Sequence, residues 1–474
     1  MVAINKILTA VSDAVWGMPT VILIISVGVY FSFRTKLVQL RIADILRCVK
    51  RNLFSSDGSR LGCISTALAA TVGTGSVTGV ATALTLGGPG GIFWLWVSGF
   101  FGMAVAYAEG ILSIKYRDGK KGGIMYALRD GLKDPLAGML YALFCMLASF
   151  GMGSMVQSNS AAEALYKEFS LDPVYCGAAV AAVALFCLFS SSEFAGRLCG
   201  VFLPLLTAGY IVAMLVLIIM NRSALPGVFS DIFGGAFGIR AVFGGTAGAA
   251  VRRAVSVGFR RGIFSNEAGL GTTAAIHAES GCRTPCEQGL MNIFELIVDT
   301  FVICSLTAVG ILSSGVELLG GADGAQLVTS AFGRVYGGLA GKLAAVSIAG
   351  FGIATVIGWS RIGLAAADYA LRGKKPLITA YKLLYAMSAY LGAVMSLERV
   401  WLVSDIFNGL MVFPCTFAPI KLRGEILSEA HSLPVEPKPP MPRSDSGSSC
   451  ACSISGKITG VTTSCANLSP GSKV

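Results

Sequence analysis

Histidine is nearly absent from this sequence, with 2 in 474 residues, and charge of both signs is scarce, Asp, Glu, Lys and Arg together making up 13%. Two histidines leave almost no raw material for a His-based metal centre or a Ser-His-Asp triad, and no nucleophile–base pair stands out. An enzyme is therefore not expected. A soluble chain of this length would carry about twice that share of charge. Zinc and haem cysteine spacings are lacking as well. Most of the 13 cysteines, such as Cys63, Cys145, Cys187, Cys199 and Cys304, stand singly inside apolar runs. There cysteine packs as a small hydrophobe.

What fills the chain instead is apolar: 54% of residues are hydrophobic, and the mean hydropathy is +0.71. That composition fits an all-α polytopic membrane protein whose surroundings are the lipid bilayer. The 59 glycines agree, since membrane helices tolerate glycine better than soluble ones. A net charge of +11 could suggest a nucleic-acid partner, but the cations lie in short loops between apolar runs. Positive-inside bias explains them better, and neither nucleic acid nor an obligate protein partner is expected.

Runs of spanning length fall near 15–33, 61–86, 91–114, 136–160, 174–190, 198–220, 262–278, 288–312, 341–369, 377–396 and 400–420. They predict about eleven transmembrane helices. The first lacks a small-residue cleavage site and runs into a basic loop, so it reads as a retained span rather than a secretory signal. Arg34, Lys36, Arg41, Arg47, Lys50, Arg51 and Arg60 crowd the first connection, and Lys115, Arg117, Lys120, Lys121, Arg129 and Lys133 the third. Both read as cytoplasmic, which places the N-terminus outside and the C-terminus inside. Arg252, Arg253, Arg260 and Arg261 fall on the wrong side in this count. Either that stretch folds back toward protein or the count is off by one there. Residues 428–474, rich in Ser, Pro, Lys and Gly, predict a disordered cytoplasmic tail. Its Cys450 and Cys452 pair is too sparse for a metal site.

Two of the runs are poor helix material. Val72-Gly73-Thr74-Gly75-Ser76-Val77-Thr78-Gly79 puts three glycines and three hydroxyl residues where a span would want Leu or Ile. Gly262 to Thr273, containing Phe264-Ser265-Asn266-Glu267-Ala268-Gly269-Leu270-Gly271, repeats the pattern. Irregular backbone at membrane depth survives only where protein or an aqueous cavity satisfies it, and its freed amides and carbonyls can act as ligands. The first interruption opens a block at 61–220 and the second a block at 262–420, the arrangement of two inverted halves with a binding site at the midplane. Close packing through small residues is the competing reading of the first.

Several buried polar residues accompany the interruptions. Gln157 can donate to a carboxylate and accept from an ammonium, which suits a zwitterion, or it can serve as an interhelical hydrogen bond. Glu109, Glu295 and Asp299 are membrane carboxylates, open to ion coupling or to structural pairing. Glu267, inside the second interruption, reads as functional. Thr355 offers the hydroxyl oxygen a hard cation uses. Trp359, one turn on, reads as a pocket wall or an interfacial anchor.

Together these residues resemble the alanine or glycine:cation symporter family. The resemblance rests on Gly73-Thr74-Gly75-Ser76 with Gly79-Val80-Ala81-Thr82-Ala83, Gly87-Gly88-Pro89-Gly90 through Phe93-Trp94, and Tyr107-Ala108-Glu109 with Lys115-Tyr116-Arg117. It continues through Met155-Val156-Gln157 with Asn159-Ser160, the Phe264 to Gly269 segment, Asp299-Thr300, and Ile357-Gly358-Trp359. It spans roughly residues 15–420. It implies a bacterial cytoplasmic (inner) membrane symporter with a leucine-transporter-like core of two inverted five-helix repeats after one extra helix. The amides of Thr74 and Gly75 would receive the carboxylate of a small neutral amino acid, alanine or glycine. Gln157, Phe264, Trp359 and Gly363 would line the pocket. Na+ would sit between carbonyls near Ala69 and Val72, the Phe351 carbonyl and the Thr355 hydroxyl. Ser76, Asn266 and Glu267 are candidates for coupling or gating.

This chain departs from the family twice: Ser76 stands where the family has Asn, and Ala354-Thr355 where it has Ser-Thr. Each removes an oxygen ligand or shortens its reach, which keeps a proton-coupled or ion-independent permease or exchanger of the same fold as the alternative. Gly363 stands where a bulkier residue would close the pocket, so room for a side chain larger than alanine's is expected.

Overall fold

The computed structural model describes residues 2–53, 67–238, 247–279, 282, 284–318 and 322–431, and the first six residues of the expected 61–86 span and the tail cysteines Cys450, Cys452 and Cys465 lie outside them. Among the described residues nine helices are long and apolar enough to cross a membrane. Pro173–Phe189 adds a shorter apolar helix, and the second interruption divides a further segment into Ala247–Asn266 and Ala274–His277. All eleven expected spans are thus present.

In chain order the helices are α1 (Val2–Val15), α2 (Met18–Arg34), α3 (Ile42–Leu53), α4 (Ala67–Gly87), α5 (Gly90–Lys115), α6 (Pro135–Phe169), α7 (Pro173–Phe189) and α8 (Ser192–Met220). They continue as α9 (Leu225–Phe237), α10 (Ala247–Asn266), α11 (Ala274–His277), α12 (Pro285–Ser313), α13 (Gly324–Tyr336), α14 (Gly338–Ala370), α15 (Lys375–Val394), α16 (Leu397–Lys421) and α17 (Arg423–His431). Pro at the first turn and Asp or Ser caps start several of them. Asp134 accepts the Ala137 amide, Asp172 that of Val174, and Ser191 that of Phe194.

Like-numbered members of the two halves pack on each other. The second span of the first half, α5, packs on α12 of the second; the third, α6, on α14; and the fourth, α7, on α15. The interrupted α10 also lies against α5. The fold is therefore leucine-transporter-like, with α5, α10 and α12 in one group and α6, α7, α14 and α15 in the other. α8 packs on α14 and on the last part of α12, and leaves Val201, Leu205, Val212 and Ile219 exposed, as a helix facing hydrocarbon should.

Three boundaries differ from the sequence reading. The interrupted helix of the second half begins at Ala247 rather than near 262, because the arginine-bearing stretch is helix folded against protein. Arg261 on it is buried. A helix, α1, precedes the first span. Residues 428–431 belong to α17 rather than to the tail. Lys115 holds that helix, 3.0 Å from Glu429 and 3.5 Å from Glu425, and the Tyr116 hydroxyl donates to Glu425.

Candidate functional site

In α4 the regular helix lapses at residues 72–73 and resumes through a wide turn, Gly75–Gly79, whose carbonyls bond five residues on. Similar wide turns occur at Gly151–Met155 in α6 and Ile297–Cys304 in α12. Such turns widen the helix and are frequent at functional sites. α10 ends at Asn266, Glu267 takes a left-handed φ of 57°, and helix returns at Ala274.

The two interruptions face each other. A methyl group on Gly75 would meet the Phe264 ring and the Ser265 backbone, both at 3.3 Å, so glycine is what lets them approach. Beside Gly75, the Thr74 hydroxyl donates to the Gln157 side-chain oxygen at 2.5 Å, and the Gln157 amide donates to the Met152 carbonyl at 2.8 Å. Gln157 is thus at once the interhelical bond and a polar group beside the break. Trp359 is fully buried at mid-helix, where a methyl on Gly153 would strike it, so it is not an interfacial anchor.

Thr355 sits against the break from the other side. Any Cβ on Gly73 would collide with its hydroxyl, and that buried oxygen has no hydrogen-bond partner among the described residues. Ala69, Val72 and Phe351 are buried close by in sequence to Gly73 and Thr355. A helix that stops short leaves its last carbonyls without intrahelical partners. Carbonyl and hydroxyl oxygens of this kind suit a hard monovalent cation.

Ser76 and Ser265, one from each interruption, both donate to Asp299 on α12. Ser265 lies 3.0 and 2.8 Å from its two oxygens, and Thr300 donates at 3.2 Å. A second carboxylate, Glu267, accepts from the Trp359 indole at 2.8 Å and from Thr272. Among the described residues Glu109 is neither solvated nor paired with arginine, as its place near a helix end allowed. It accepts the Gly269 amide at 3.0 Å and the Cys415 thiol at 3.1 Å. Glu295 lies 3.2 Å from His277. Asn266 accepts the Ala268 amide through its side-chain oxygen at 3.1 Å.

Gly363 is placed differently from the expectation of spare room. A methyl there would strike the Tyr381 hydroxyl and Ser149, so the missing side chain serves close packing of α14 on α6 and α15 and opens no cavity.

Above Phe264 the sequence reading missed a closure. Phe264 packs on Trp401, with ring centroids 4.5 Å apart, and Arg261 stacks over Trp401 at 3.8 Å. Arg261 also forks onto Asp405 at 3.1 and 3.3 Å, and Arg260 reaches both Asp405 at 3.6 Å and Asp13 at 3.4 Å. Trp16 donates to the Asp405 carbonyl at 2.7 Å. The arginines that upset the charge count are thus partly held by carboxylates of α1 and α16. Beyond them lies an open basin of about 970 Å³, lined by Asp13, Trp16, Leu86, Arg252, Arg253 and Arg260 among others.

A profile of the sodium:alanine symporter family matches residues 1–433. The sodium/alanine symporter AgcS of Methanococcus maripaludis is 34% identical over 445 residues, 90% of this chain and 97% of that protein. The probable sodium/glutamine symporter GlnT of Bacillus subtilis is 33% identical over 420 residues, 86% of each chain. Among solved structures, MhsT in complex with L-phenylalanine aligns with a TM-score of 0.54 at 12% identity, covering 78% of this chain and 98% of that one.

Proposed function

The chain belongs to the sodium:alanine symporter family and is a multi-pass, cation-coupled amino-acid symporter rather than an enzyme; within that activity we propose that it imports a small neutral amino acid, alanine or glycine, with Na+. The observation that carries this reading is the meeting of the two interrupted helices at Gly75 and Phe264, with Thr74 and Gln157 beside them.

The substrate carboxylate is received by the Thr74 and Gly75 amides, and Gln157 supplies an amide that serves either end of a zwitterion. Phe264 and Trp359 wall off the side chain. Na+ travels as co-substrate, held by the Ala69, Val72 and Phe351 carbonyls and the Thr355 hydroxyl. The unpartnered Thr355 oxygen against Gly73 supports that placement. Ser76, Asn266 and Glu267 couple the ion to the movement.

Alternating access then follows from movement of the group containing the interrupted helices against α6, α7, α14 and α15. The repeats are 61–220 and 262–420, the second reaching back to Ala247. The protein lies in a bacterial cytoplasmic membrane with its N-terminus outside and its C-terminus inside. Buried carboxylates at the interruptions, Glu267 and Asp299, support the second reading, proton coupling or exchange on the same fold. Uptake into proteoliposomes with Na+ replaced by choline separates the two: the sodium reading requires accumulation to collapse, and the proton reading requires it to survive until the pH gradient is removed.

A further inference from the structure

The chain leaves α2 through a fixed turn. Lys36 and Leu37 both take a left-handed φ, 55° and 54°, and the buried Gln39 side chain donates to the Ser32 hydroxyl at 2.8 Å. The start of α3 is thereby tied to the end of α2. Its faces are sorted: Ile45, Cys48, Val49 and Asn52, at helical spacing, are buried against protein. Ile42 and Leu46 lie exposed on the adjoining face with the exposed Lys50 and Arg47, and Leu37 and Leu40 carry the exposed apolar strip back through the turn. Residues 33–51 hold six cations, Arg34, Lys36, Arg41, Arg47, Lys50 and Arg51, against one carboxylate, Asp44. The buried face of α3 grips α12. Arg51 and Asn52 each donate to the Glu287 carboxylate at 2.9 Å, and the Cys48 thiol donates to the Glu287 carbonyl at 3.4 Å. Glu287 stands in the first turn of α12.

We propose that α3 and the turn before it bind an anionic phospholipid of the inner leaflet, the first connection being cytoplasmic as placed above, and that this lipid acts through Glu287 on α12. Exposed Leu and Ile beside basic side chains mark a helix that lies in the headgroup plane. A cluster of about four to eight Lys or Arg just cytoplasmic of a span attracts anionic headgroups. Arg47 and Lys50 reach the phosphate through charge-assisted hydrogen bonds, and acyl chain covers Ile42 and Leu46. Two other occupants fail on charge. Residues 432–474 carry four cations against two carboxylates, and a second copy of this face would set six cations against six. Because α12 belongs to the group of interrupted helices, a lipid that fixes α3 biases the movement of that group.

The test is binding of fluorescent phosphatidylglycerol to the purified full-length protein in neutral detergent, with unlabelled competitors. Phosphatidylglycerol displaces the probe, whereas phosphatidylcholine and inorganic phosphate do not. Arg47→Gln with Lys50→Gln weakens binding about thirtyfold, roughly 2 kcal/mol, without lowering the melting temperature. Lys374→Gln with Lys375→Gln, cations of another connection, leaves it unchanged. Equal displacement by phosphatidylcholine or phosphate, unchanged binding in the first variant, or an equal loss in the second overturns the proposal. So does a wild-type dimer that the first variant loses, which would make the face a subunit contact. In wild type, alanine and phosphatidylglycerol change each other's affinity by the same factor, about fivefold, and Glu287→Gln keeps the lipid but loses this coupling. Bound lipid without effect on alanine in wild type overturns the link to α12. Labelling of a Lys50→Cys variant from outside intact cells overturns the inner-leaflet placement. A wild type that binds no alanine defeats the substrate reading, while the lipid titration still decides the site.

Discussion

Thr355 turns its hydroxyl onto the backbone of Gly73, so closely that a single methyl group on the glycine has no room. Helix α14 thereby holds the first interruption at the point where its carbonyls are freed. Gly73→Ala forces a β-branched side chain to move in a packed site, a cost of about 1–3 kcal/mol. The expected outcome is a lower melting temperature in detergent together with loss of Na+-driven uptake. Thr355→Ala relieves packing but removes an oxygen. It should leave the melting temperature nearly unchanged and raise the Na+ concentration for half-maximal uptake by about tenfold, roughly 1.4 kcal/mol of lost binding.

On the proposed reading, Gln157 and Thr74 act on the amino acid. Gln157→Ala leaves the Thr74 hydroxyl without its acceptor and deprives the substrate of an amide. An unmade buried hydrogen bond costs about 1–3 kcal/mol, so the alanine KM should rise about ten- to a hundredfold while the protein still reaches the membrane. Uptake titrations at saturating Na+ check this.

Trp359 is held by Glu267 at 2.8 Å, across the two groups of helices. Trp359→Phe keeps an aromatic wall and drops that bond. Substrate affinity should then fall only a few-fold, whereas Trp359→Ala should abolish measurable binding. Isothermal titration with alanine distinguishes them, and equal affinities in both variants would remove Trp359 from the pocket.

The Arg261–Asp405 pair lies behind Phe264 and Trp401 with both side chains buried. Removing one partner strands a charge, at a cost of about 3–5 kcal/mol, whereas replacing both by leucine recovers much of it. A thermal double-mutant cycle on Arg261→Leu and Asp405→Leu should show that non-additivity. The exposed Lys121–Asp368 pair offers the contrast. The carboxylate holds the Lys121 ammonium above its ordinary pKa, so any stabilisation is present at neutral pH and is lost only as pH rises through that raised value. At 65% exposure of Lys121, solvent screening leaves such a pair worth about 0–1 kcal/mol, and Lys121→Ala should change little.

Both interruptions were legible in sequence because glycine and hydroxyl residues weaken a helix locally, and apolar run length gave every span. What could not be read depended on distant partners. Asp299 was visible as a membrane carboxylate, but Ser76 is 223 positions away from it. Arg261 looked like a misplaced loop cation until Asp405, 144 positions on, neutralised it. Its helix therefore starts earlier than hydropathy suggested. Gly363 misled for the same reason, since a glycine says where a side chain is missing and not whether Tyr381 fills the space.

Sodium-driven accumulation of a small amino acid at the paired interruptions is tested most directly by alanine uptake into proteoliposomes, with an imposed Na+ gradient, for wild type and Thr355→Ala side by side. Wild type should accumulate alanine above equilibrium only with Na+ inward, and Thr355→Ala should need about tenfold more Na+ for the same rate. Equal accumulation in choline, or an unchanged Na+ requirement in Thr355→Ala, would contradict it.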